Sequence, residues 1–117
     1  MNDRVRAALT GMRENAQQAL RYSEQVRAWT DDEMAVDAIA KRVEQVAEIA
    51  KYQFPLARRD AYSDIDWDSI AGMRDRLVHD YGQLDLLILE EVVSIHLPAL
   101  LAGIHKILDQ DRRDQRP

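Results

Sequence analysis

Apolar residues recur at three- and four-residue steps along almost the whole chain. Val5, Ala8, Leu9, Met12, Ala16, Leu20 and Ser23, with Val26 and Trp29 beyond them, form the stripe of a long amphipathic helix from Asp3 to about Trp29. Thr30-Asp31-Asp32-Glu33 then reads as a capping box, in which Thr30 accepts the Glu33 amide and Glu33 reaches back. The second helix carries Val36, Ile39, Val43, Val46, Ala47, Ala50 and Phe54 on one side. Pro55 stops or kinks it, because proline removes an amide and crowds the preceding turn. Residues 56–65 make a polar connector with room for one short helical turn. Asp66 is placed to N-cap a third helix from Trp67 to about Tyr81, with Gly82 as its stop. Asp85 opens a fourth through roughly Ile95. Pro98 either kinks that helix or sits in the first turn of a fifth, which bears Leu101, Ile104, Ile107 and Leu108. Residues 109–117 are polar and charge-balanced, which predicts a frayed end.

No alternating strand pattern and no internal repeat competes with these helices. The expected architecture is all-α, an up-and-down bundle of four to five helices, the first two paired antiparallel across a short turn. Residues 1–110 read as one helical domain and 111–117 as a polar C-terminal tail. The last third is rich enough in Leu, Ile and Val to leave a face that needs a partner, and a homodimer is the commonest answer to such a face.

Composition narrows the functional classes. At 117 residues, with 46% hydrophobic and 32% charged, the chain can bury one modest core and is not disordered. It has no cysteine, which excludes a disulfide framework, a thiolate zinc site and a cysteine nucleophile. The start lacks the apolar core of a secretory signal, and no run of roughly eighteen apolar residues occurs, so the expectation is a cytoplasmic protein without a membrane span. A net charge of -5 argues against non-specific duplex DNA binding, which depends on neutralising many phosphates. Charge is nonetheless sorted by segment: Lys51 to Arg59 carries three cations and no acid, whereas Asp60 to Asp68 carries four acids and no cation.

The stretch from Ile70 to Tyr81 (IAGMRDRLVHDY) concentrates the candidate chemistry. On a wheel of roughly 100° per residue, Arg74 falls among Ile70, Met73, Leu77 and Tyr81. A guanidinium in an apolar stripe is costly unless it is paired, reaches out to water, or faces an anion. His79 lies roughly 140° from Arg74 on the same wheel, sharing a face with Asp75 and Gly72. Asp75 is placed one turn before His79 to orient its ring, although a solvated histidine near a helix C-terminus is the plainer reading. Groups so far apart on one straight helix cannot easily grip one phosphate. Either the helix unwinds before His79, or two protomers face each other across a shared site, with Gly72 allowing close approach.

Arg74-x4-His79-x-Tyr81, set in GMRDRLVHDY, resembles the RX4HXY signature of the HEPN superfamily, and specifically its HepT-like (DUF86) branch of toxin ribonucleases. The lead-in Trp67-x2-Ile70-Ala71-Gly72-Met73 and the later Leu97-Pro98-x-Leu100 are similar to that branch as well. The resemblance implies a HEPN-like, homodimeric, metal-independent endoribonuclease, the toxin of a bacterial toxin–antitoxin module. Arg74 and His79 would be catalytic, with Asp75 beside them in a position that is often Asn in relatives. Tyr81 would be the hydroxyl that a partner nucleotidyltransferase antitoxin of the MNT type AMPylates. No cofactor is implied. The substrate would be RNA, with Lys51, Arg58, Arg59 and Arg76 as candidate contacts to its backbone.

The residue types suit that chemistry. Attack by the neighbouring 2′-hydroxyl gives a 2′,3′-cyclic phosphate and a 5′-hydroxyl, a proton transfer that histidine performs near neutrality. Arginine grips a phosphate bidentately and stabilises charge growing on its oxygens. His96, His105, Glu90 and Glu91 fit neither Glu-x-x-His nor His-Glu-x-x-His, so no metal site is expected. The competing reading is a non-catalytic helical accessory or substrate-presenting subunit of a nucleotidyltransferase, which need not keep Arg74 and His79 together.

Overall fold

The computed structural model describes residues 1–78 and 83–116. Within them the chain is a helical bundle, and the one β-type pairing is an isolated antiparallel bridge between Val78 and Leu84. Helix α1 (Asp3–Ser23) is capped by the Asn2 side chain, which accepts the Val5 amide at 2.8 Å. It packs chiefly on α2 (Glu33–Glu48). The pairing is antiparallel: Arg4 reaches the Gln53 carbonyl at 3.2 Å, while farther along Arg42 donates to Asn15 at 3.1 Å.

The first helix ends six residues earlier than its stripe predicts, at Ser23 rather than Trp29. The reason lies in the turn. Asp32 accepts the backbone amides of Arg27 (2.7 Å) and Ala28 (3.0 Å), folding residues 24–32 into a loop. Those two amides hold the Asp32 carboxyl below its ordinary range, Ala28 first and Arg27 next. Asp32, not Thr30, is the N-cap residue of α2, and the expected capping box does not form: the Thr30 hydroxyl turns to Asp31 at 3.4 Å instead. Val26 and Trp29 still pack partly buried against the core.

Helix α2 continues as a π-helical turn, Ile49–Gln53, closed by the Phe54 amide on the Ile49 carbonyl at 2.9 Å. Pro55 stops it there. The residue before proline avoids helical geometry, and Phe54 is extended at φ −73°, ψ 129°. Phe54 is buried, stacks on Trp67 at 4.0 Å between ring centroids, and meets Tyr62 edge-on at 5.8 Å. The connector is a 3-10 helix, Leu56–Tyr62, longer than the single turn expected. Asp66 caps the next helix as predicted, accepting the Ser69 amide at 3.3 Å.

That next helix is not continuous to Tyr81. It is two short pieces, α3 (Trp67–Ala71) and α4 (Met73–Leu77), interrupted at Gly72. The chain leaves helical geometry at Val78 (φ −108°, ψ 114°), whose bridge to Leu84, with the Asp85 amide on the Leu77 carbonyl at 2.7 Å, competes successfully with a further turn. His79, Tyr81 and the expected stop Gly82 lie outside the described residues.

Asp85 caps α5 (Leu86–Glu91) through the Ile88 amide at 3.1 Å, again as predicted. A π turn, Val92–His96, joins α5 to α6 (Leu97–Asp114). The π turn falls where Pro98 cannot donate to Ser94, so the proline is absorbed at the start of α6 and one helix runs through it. Leu86–Asp114 contains a window of mean hydropathy 1.8, long and apolar enough by composition alone to cross a membrane, contrary to the expectation of no candidate span. Its inward stripe of Leu89, Val92, Leu97, Leu100, Ile104 and Ile107 is buried within the bundle. The end expected to fray is helical to Asp114, and Arg6 of α1 pairs with Asp111 at 2.9 Å.

The tightest glycine is Gly103 of α6. A Cβ there would stand 2.9 Å from the Asp64 backbone oxygen, closer than such atoms approach. Gly103→Ala must therefore push α6 off the connector. A stability loss of about 1–3 kcal/mol, the usual scale for overpacking, is expected by urea denaturation.

Candidate functional site

The end of α2 and the α3–α4 junction enclose a cleft of about 300 Å³ lined by Ala47, Glu48, Lys51, Tyr52, Ala71, Arg74 and Asp75. Two alanines keep it open, and the other five side chains are exposed at its rim. Arg74 is not in the apolar stripe where the continuous wheel sets it. Taken alone, α4 turns Met73 and Leu77 inward, both fully buried, and Arg74 sits roughly 80° around from their midpoint. The guanidinium is in water, and no described residue bonds or ion-pairs with it.

Asp75, one residue on, is also exposed in the cleft. Gly72 owes its tight surroundings to its own helix: a Cβ would lie 3.1 Å from the Asp68 carbonyl. Because α4 stops at Leu77, the 140° separation between Arg74 and His79 does not hold. The chain unwinds before His79, the first of the two routes the wheel left open.

The four other cations divide. Lys51 shares the cleft with Arg74, its ammonium 5.4 Å from the Tyr52 ring centroid. Arg58 is exposed on the 3-10 helix, away from the cleft lining. Arg59 has structural work: it donates to the Ala50 carbonyl at 2.7 Å and lies 5.8 Å over the Trp67 ring, its Nε buried without a partner. Arg76 turns back to the Ser69 carbonyl at 2.9 Å. Among the described residues no three His, Asp or Glu side chains cluster as metal ligands, and His96 contacts Glu91 at 3.3 Å. Motif reading passed over Glu48 on this lining, and also Tyr52. The signal for Tyr52 was an aromatic beside a cation in the basic run Lys51–Arg59.

Chemically, the cleft offers a free guanidinium, an ammonium and two carboxylates around an open space, and the helix that supplies Arg74 and Asp75 leads directly into His79 in sequence. Residues 12–107 match the sequence profile of the family described as "Ribonuclease HepT-like". The chain belongs to the HepT-like ribonuclease family. It is 36% identical over 74 residues to a protein of Methanocaldococcus jannaschii named "Gamma-glutamylcyclotransferase and putative RNase", covering 63% of this chain and 33% of that one. A "Putative RNase" of Caldanaerobacter subterraneus subsp. tengcongensis is 30% identical over 81 residues, covering 69% of this chain and 71% of the relative. Another of M. jannaschii, with the same description, is 30% identical over 79 residues, covering 67% and 64%. No solved structure matches the chain. HepT-like membership covers both walls of the cleft, since α2 and α3–α4 fall inside the matched residues.

Proposed function

We propose that this HepT-like protein is an endoribonuclease that cleaves RNA at the Arg74 cleft without a metal ion. The observation that carries the reading is Arg74 itself: exposed, unpaired among the described residues, and beside Lys51 in one cleft. An arginine bonded to no acid or carbonyl is available to a phosphate, and its planar fork matches two phosphate oxygens. In the reaction the 2′-oxygen bonds to phosphorus as its proton leaves to a base. The bond from phosphorus to the 5′-oxygen breaks, and that oxygen takes up a proton. His79 is assigned the proton transfers and Arg74 the charge on the non-bridging oxygens. Asp75 positions rather than reacts.

The biological setting follows from the family resemblance. The protein acts in the cytoplasm as the toxin of a toxin–antitoxin module. A nucleotidyltransferase antitoxin of the MNT type silences it by AMPylating Tyr81, two residues after His79 in sequence. A homodimer is part of this reading, supported by Leu87 and Ile95, which stand 80% and 58% exposed on the α5–α6 helix.

Purified protein incubated with RNA in excess EDTA tests the proposal. The expected products end in 2′,3′-cyclic phosphate and 5′-hydroxyl. Intact RNA, or cleavage that appears only when magnesium is restored, refutes it.

A further inference from the structure

We infer that Tyr52 is a base-stacking platform that makes the Arg74 cleft selective for single-stranded RNA, an inference that rests on the ribonuclease reading. Tyr52 stands 68% exposed, although its neighbour two residues on, Phe54, is packed to 2%. The π turn produces this contrast: it delivers Phe54 to Trp67 and Tyr62 and leaves Lys51 and Tyr52 outside, on the cleft wall. No described residue bonds the Tyr52 hydroxyl, and the ring meets the Lys51 ammonium at 5.4 Å from its centroid.

Charge alone does not explain binding here. Lys51 and Arg74 are balanced by Glu48 and Asp75 on the same lining. Attraction for a polyanion is therefore weak over the cleft as a whole, and affinity must come from a contact that is not Coulombic. An exposed aromatic face supplies one, since stacking is worth roughly 1–3 kcal/mol per base and tolerates any sequence. With a phosphate on Arg74, a cleft of about 300 Å³ has room for the adjoining nucleotide, whose base lies against Tyr52. Bases in an RNA duplex are stacked on each other and hidden in the helix, so only an unpaired strand can present one. Lys51, 5.4 Å from the ring centroid, is positioned to meet the next phosphate.

The test compares Tyr52→Ala and Tyr52→Phe with the wild type, using fluorescence anisotropy on a labelled single-stranded RNA and on its duplex, both in EDTA. Tyr52→Ala should weaken single-strand binding by roughly 5- to 150-fold, the range that one lost stacking contact allows. Tyr52→Phe should stay within about twofold, because it keeps the ring. The duplex should bind more weakly than the strand and be indifferent to either change. In cleavage assays KM should rise in Tyr52→Ala and return in Tyr52→Phe. Unchanged single-strand affinity in Tyr52→Ala overturns the inference, as does an equal loss in Tyr52→Phe or an altered sedimentation coefficient. Active wild type with an unmoved KM in Tyr52→Ala removes the platform and keeps the nuclease. Stacking-dependent binding without cleavage does the reverse, and a wild type that binds no RNA removes both.

Discussion

Arg74→Ala is expected to lower the rate of RNA cleavage by at least about 10²- to 10³-fold, the usual consequence of removing one donor aimed at transition-state charge. The fold should be untouched. The guanidinium packs on nothing in the core, bonds no described residue, and lies on the outer side of α4, so urea midpoints should coincide within error. Lysine in its place should recover only part of the rate, because a point charge cannot hold two oxygens at once. Under the proposed toxin role, expression of the wild type in cells should arrest growth and expression of Arg74→Ala should not. A variant with normal stability and normal turnover would show that the phosphate is held elsewhere.

The second large effect is on stability. Phe54→Ala should cost about 3–5 kcal/mol, the scale for emptying a large buried aromatic site. Phe54 is among the largest fully buried side chains and joins three elements: the end of α2, the 3-10 connector through Tyr62, and α3 through Trp67. Its loss leaves a cavity that Trp67 cannot fill without releasing its own hydrogen bond to the Tyr62 carbonyl at 3.0 Å. Phe54→Leu should recover most of the loss. Because Tyr52 and Lys51 are set by the same π turn, Phe54→Ala should also weaken RNA binding at temperatures where it is still folded. A loss below 1 kcal/mol would mean the aromatic cluster is not what fixes this corner.

Where one residue decides a feature, the sequence was readable. Asp66 and Asp85 each cap the helix they precede, because the local bond from a carboxylate to an amide three residues on needs no tertiary help. Where a distant or competing partner decides, periodicity misled. The stripe through Trp29 is real as burial but not as helix, since Asp32 takes the amides that would have continued α1. Arg74 looked buried because a wheel assumes an unbroken helix. The interruption at Gly72 and the bridge from Val78 to Leu84 remove that assumption. Arg59 could be read only as a cation until the Ala50 carbonyl and the Trp67 face were in place around it. The motif itself was legible residue by residue, and the structure adds the cleft that joins Arg74 and Asp75 to Lys51 and Tyr52.

The claim beneath all of this is that Arg74 and His79 act on one phosphate as a unit. A double-mutant cycle of single-turnover cleavage, with Arg74→Ala, His79→Ala and the pair in one chain, measures that directly. Residues that serve the same transition state are strongly non-additive, so each single change should remove nearly all activity and the double change almost nothing more. Independent, multiplying losses, or a His79→Ala protein that cleaves like the wild type, would contradict the account.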